Sequence, residues 1–93
     1  MSEGEVSDGG AESRATHSTA VLRHMTRSLV DHPDEVEVDV VDRDDRLELN
    51  VSVADGDMGR VIGKRGRMAN AIRVVTRAAA VRDGVEVDIE FVD

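Results

Sequence analysis

Gly63-Lys64-Arg65-Gly66 carries the clearest chemistry in this chain. Glycine has no Cβ, so two glycines three positions apart let another polymer's backbone come very close. The residues between them are both cationic, which suits a phosphate. Val61-Ile62 precedes this loop and a helical pattern follows it from Arg67 to about Arg82. A loop just ahead of a helix N-terminus meets free N–H groups and the positive end of the helix dipole, both favourable to an anion. On these grounds Gly63 and Gly66 admit a sugar-phosphate chain, and Lys64 and Arg65 point outward to phosphates. Arg60 and Arg67 flank the loop. Val61, Ile62 and Met68 offer an apolar shelf for bases.

Charge supports an anionic ligand locally and opposes it globally. The 93 residues carry a net charge of −8. Yet Arg60, Lys64, Arg65, Arg67, Arg73, Arg77 and Arg82 fall in one window from 60 to 82 that holds no Asp or Glu. A basic patch on an acidic body is still an electrostatic footprint. The acidic remainder repels phosphate elsewhere and discourages indiscriminate binding.

Other chemistry is poorly supplied. There is no cysteine, so there is neither a disulfide framework nor a thiolate zinc site. His17, His24 and His32 lack a companion acidic or cysteine cluster at metal-ligand spacing. The glycine loop is not followed by the Lys-Ser/Thr of a nucleotide P-loop. No Ser-His-Asp or Cys-His set is suggested, so no enzymatic activity and no cofactor are expected. Phe91 is the one aromatic residue. Strand alternation puts it in the core, which leaves no aromatic platform for stacking bases.

The elements that must position the loop follow from periodicity. Val21, Leu22, Met25 and Leu29 recur at helical spacing from Thr16 to about Asp31, and Pro33 ends the run. Val36, Val38 and Val40 then alternate with acids, as do Leu47, Leu49, Val51 and Val53 with polar residues. Period two with one apolar face means half-buried strands, here a hairpin around 42–46. Asp55 or Asp57 is placed to N-cap a short helix over Met58 to Ile62. The next helix turns Ala69, Ile72, Val75, Thr76 and Ala79 inward and ends at Asp83-Gly84. A last strand runs from Val85 to Val92. The order is α-β-β-α-α-β. It predicts an α+β fold, a three-stranded sheet covered on one face by helices. The link between second and third strands is long enough for a parallel crossover.

Residues 1–14 read as a disordered acidic tail and 15–93 as one domain. Met1-Ser2-Glu3-Gly4-Glu5 is too acidic and polar for a signal peptide. The longest apolar run, Ala78 to Val81, is far too short to span a membrane.

Three stretches carry a family resemblance: residues 29–36, then Met58 through Arg67 with the Gly-x-x-Gly loop, then Ala69-Asn70-Ala71-Ile72-Arg73. From about Leu22 to Asp93 the chain resembles the short single-KH proteins of bacteria, the KhpA (YlqC) family. The resemblance implies a type II KH fold with the additional helix and strand at the N-terminus. It implies single-stranded RNA binding through residues 60–68, a cytoplasmic location, and RNA chaperoning linked to cell elongation and division. It further implies a homodimer, or a heterodimer with a larger Jag-type (KhpB) KH-containing protein. Two other readings stand beside it: a protein-interaction module that docks such a partner with little RNA binding of its own, and a binder of single-stranded DNA.

Overall fold

The computed structural model describes residues 10–92. Helix α1 spans Thr16–Leu29, strands β1 and β2 span Glu37–Asp42 and Leu47–Ser52, and the short helix α2 spans Met58–Ile62. A 3-10 turn over Lys64–Gly66 leads into helix α3, Arg67–Asp83, and strand β3, Val87–Phe91, follows. A second 3-10 turn, Pro33–Glu35, sits between α1 and β1. This is the α-β-β-α-α-β order expected from the sequence.

The sheet order is β1-β2-β3. β1 and β2 pair antiparallel, with Val38 opposite Val51 and Val40 opposite Leu49. β2 and β3 pair parallel, with Leu49 opposite Ile89. The crossover that makes this pairing parallel contains α2, the glycine loop and α3. The candidate site is thus suspended between two strands of one sheet.

The core lies between the sheet and the helices. Leu47, Leu49 and Val51 of β2 are fully buried, as are Leu22 of α1, Val61 of α2 and Ile72 of α3, with Val87 and Ile89 of β3 close behind. Every second residue of β2 is buried because the middle strand has neighbours on both edges and helices over one face. β1 lies at an edge, and its Val38 and Val40 are only half-buried.

Two expectations are corrected by the packing. On α3 the buried stripe is Ala69, Ile72, Thr76 and Ala80, whereas Val75 is exposed and Ala79 only half-buried. That stripe is a single narrow line at three- and four-residue steps, and Val75 lies one step round the helix from it. Asp57 occupies the N-cap position of α2 in a helical backbone conformation and makes no side-chain cap bond. Its carboxylate turns back instead to the N–H of His32 and to His32 Nδ1, both at 3.1 Å. The disordered tail expected over 1–14 lies outside the described residues for 1–9. Residues 10–13 form a helical turn with Ala11 buried. The turn is tied down by Glu12–Arg23 at 3.6 Å, and beyond it Arg14 reaches Asp42 of β1 at 3.0 Å.

α1 has no side-chain cap of its own, since Ala15 stands at its N-cap. The last residue of α3 supplies one. Asp83 accepts hydrogen bonds from the N–H groups of His17 and Ser18, both at 2.9 Å, and from Ser18 Oγ at 2.9 Å. His17 Nδ1 lies 2.7 Å from the same carboxylate. Burial alone would raise the Asp83 pKa, but these hydrogen bonds outweigh it and lower the value to about 2. The start of the first helix is thereby locked to the end of the last.

Candidate nucleic-acid interface

The loop is built from left-handed backbone. Gly63 has φ 72° and ψ 179°, a combination essentially reserved for glycine. Gly66 has φ 72° and ψ 13°. Between them Arg65 holds φ 58° and ψ 25°, which costs a residue with a Cβ roughly 1–2 kcal/mol. Three of four residues therefore have positive φ, and the chain reverses within one turn. Gly63 N–H closes α2 onto Gly59 O at 3.0 Å, and Gly66 N–H reaches Gly63 O at 3.3 Å.

The two glycines serve different ends. A Cβ on Gly63 would meet Met68 Cβ at 2.8 Å and Met68 N at 3.2 Å, so the loop packs directly on the first turn of α3. A Cβ on Gly66 would meet nothing within 4 Å. Gly66 is favoured by its left-handed backbone angle, and its outer side is open.

The side chains divide by burial. Lys64, Arg65 and Arg67 are exposed, and Ile62 and Met68 are half-buried beside them. Val61 is fully buried. It anchors α2 in the core and has no surface for a base, so the apolar shelf narrows to Ile62 and Met68. Arg60 is exposed and pairs with Asp31 at 3.2 Å.

Ion pairing sorts the cations further. Arg14, Arg23, Arg43 and Arg46 each meet a carboxylate within 4 Å, as does Arg60. Among the described residues Arg27, Lys64, Arg65, Arg67, Arg73, Arg77 and Arg82 meet none, and all of these but Arg27 lie between positions 64 and 82. The first turn of α3 contains no acid either. The loop and the helix N-terminus thus form a positive surface that the acidic body does not neutralise.

One contact was not legible in the sequence. Arg73, midway along α3, donates from Nε to Ile89 O at 3.1 Å, and its guanidinium carbon sits 5.2 Å from the centroid of the Phe91 ring. Phe91 does face the helices, but at the end of β3 it is only half-buried. Its placement wholly in the core is corrected: the ring packs against the core on one side and meets Arg73 on another.

Comparison with known proteins shows the family. Residues 19–91 match the family model described as KhpA/KhpB, KH domain. A protein of Clostridium acetobutylicum named RNA-binding protein KhpA is 47% identical over 72 residues, spanning 77% of this chain and 96% of that protein. One of the same name from Bacillus subtilis is 40% identical over 77 residues, 83% of this chain and 95% of its own length. A third, from Chlamydia trachomatis, is 38% identical over 72 residues, 77% and 92% of the two chains. No solved structure matches. The α-β-β-α-α-β order, the loop held between α2 and α3, and the match across nearly the whole described chain lead to one conclusion: this chain belongs to the KhpA/KhpB KH-domain family.

Proposed function

We propose that this protein binds single-stranded RNA by clamping its sugar-phosphate backbone at the Gly63–Gly66 loop. The observation that carries the proposal is the cluster of Lys64, Arg65 and Arg67, exposed and without a carboxylate partner among the described residues, around a left-handed loop at the start of an acid-free helix turn. The names of the relatives support the same ligand. Gly63 and Gly66 allow close approach, while Lys64 and Arg65, both exposed, contact phosphate. Arg67 and the α3 N-terminus add donors. Ile62 and Met68 support a base, with Val61 beneath them. Arg60 joins once phosphate displaces Asp31. No side chain here is asked to do chemistry, and the reading is of a non-enzymatic RNA chaperone or regulator. Its cytoplasmic location and its link to cell elongation and division rest on the resemblance alone.

Fluorescence anisotropy with a labelled single-stranded RNA pool tests this. The double variant Lys64→Asp, Arg65→Asp is expected to lose binding at least tenfold and to keep its melting temperature, because both side chains are exposed. Unchanged affinity would sink the site assignment. Matched DNA oligomers in competition test the 2′-hydroxyl, which RNA alone offers.

A second reading concerns protein partners. Val74 and Val81 of α3 are strongly exposed and Val75 less so, with Ala78 between them. Val74, Ala78 and Val81 recur at helical spacing, so they form one apolar stripe away from the core. This stripe suits a second copy of the chain or a larger KhpB-type partner. Val74→Asp with Val81→Asp is expected to abolish self-association in light scattering without changing the fold.

A further inference from the structure

We infer that Arg73, held by Ile89 O and the Phe91 ring, reads a nucleobase in the strand laid across this domain. The inference rests on the proposed RNA function and extends it from backbone to base.

The parallel ladder fixes which groups are free. Leu47 N–H donates to Glu86 O, and Val92 N–H to Val51 O. Even-numbered residues of β3 therefore turn their backbone toward β2, and the odd-numbered ones turn theirs to the open edge. Ile89 O is one of these outward carbonyls. Arg73 occupies it with Nε alone. A guanidinium has five N–H donors, so four remain, in a planar fork. Among the described residues no carboxylate pairs with them. The Phe91 ring lies under the guanidinium at 5.2 Å and restricts its orientation from below.

The group is thus placed rather than merely exposed. Arg73 is half-buried whereas Arg67 and Arg77 on the same helix are exposed. Arg73 lies six residues beyond Arg67, about 9 Å along the helix axis at 1.5 Å per residue. A strand anchored at the loop and running along the β3 edge passes this point. A fixed fork of N–H donors matches a base edge that presents two acceptors together, and guanine O6 and N7 form such an edge. Adenine places a donor beside N7 and mismatches the fork.

The test uses five labelled oligomers of one length: uridine-guanosine and uridine-adenosine repeats, uridine alone, cytidine alone, and an abasic ribose-phosphate chain. The native protein is expected to bind the guanosine repeat about tenfold tighter than the adenosine repeat, the scale of one bidentate base contact. Arg73→Lys keeps the charge and loses the planar fork. Phe91→Leu keeps the apolar packing and loses the ring. Each is expected to cut that ratio below about twofold while moving abasic affinity less than twofold, with thermal melts confirming the fold. Absence of guanosine preference in the native protein would overturn the inference. So would a preference that survives Arg73→Lys, or an equal loss on base-bearing and abasic chains. In those three cases loss of abasic binding on Lys64→Asp, Arg65→Asp would still uphold the loop as the backbone site. Failure of the native protein to bind any oligomer would overturn both.

Discussion

The loop asks different things of Gly63 and Arg65, and each can be tested by one substitution. Gly63→Ala forces a methyl to 2.8 Å from Met68 Cβ in a backbone region closed to alanine. Its expected cost is about 2 kcal/mol or more, read as a fall in melting temperature. Arg65→Gly relieves left-handed strain of roughly 1–2 kcal/mol, and the extra unfolded-state freedom of glycine offsets much of that. Stability is expected to stay within about 1 kcal/mol while RNA affinity falls, so this variant separates binding from folding. Thr76 is a residue-scale defect of another sort. Its hydroxyl is buried and, among the described residues, has no hydrogen-bond partner. Thr76→Val keeps the shape and removes the unsatisfied group, which is expected to stabilise by about 1 kcal/mol and raise the melting temperature by roughly 4–8 °C. At this scale the sequence was informative about the loop and silent about its surroundings. Two apolar neighbours in a five-residue helix do not reveal which one faces in, so the sequence does not tell Val61 from Ile62. Arg73 was one cation among seven until α3 docked on β3 and joined it to residues 16 and 18 positions away.

At the scale of elements, Asp83 is the most consequential junction. Asp83→Asn keeps the size and loses the charge, and the expected cost is about 1–2 kcal/mol, typical of a helix cap. The pH dependence follows from the direction of the shift. The folded carboxyl titrates at about 2 and the unfolded one near 3.9. Its contribution is therefore fully present above about pH 4 and is lost as pH falls through the folded value. Acid unfolding of the native protein is expected to be steeper between about pH 4 and pH 2 than that of Asp83→Asn, whose loss is already incurred at neutral pH. A denaturant series at pH 7 and at pH 3 checks this. The elements themselves were largely legible: Met58–Ile62 and the start of α3 coincide with the periodicity, and the strands differ by a residue or two at their ends. The cap was not legible, because its partners lie 65 and 66 residues apart. The helical turn at 10–13 has no signature in the sequence, because one small buried residue, Ala11, among polar neighbours gives no periodic signal.

The whole molecule is divided by charge. The basic window from 60 to 82 coincides with the loop and α3, and the outward positions of the sheet carry Glu37, Asp39, Glu48, Asp88 and Glu90. If three cations at the loop neutralise phosphate, each releases counterions, and for a single strand the slope of log affinity against log salt is about −2. RNA binding is then expected to weaken about 16-fold between 50 and 200 mM salt. Docking of a protein on the Val74–Val81 stripe is expected to change far less over the same range. The titration therefore distinguishes the two surfaces in one protein. This charge division was visible in the sequence, because a basic window on one helix needs no tertiary information to remain together in space.

The lock between Asp83 and α1 also has a temporal side. A ribosome makes α1 long before it makes the residue that caps it, since His17 waits 66 residues for Asp83. At about 5–20 residues per second that interval is on the order of 3–13 s. A 14-residue helix with no side-chain cap of its own is marginal in water. The nascent chain therefore carries α1 as a fluctuating segment until α3 is complete. The start of α1 is then fixed against the end of α3.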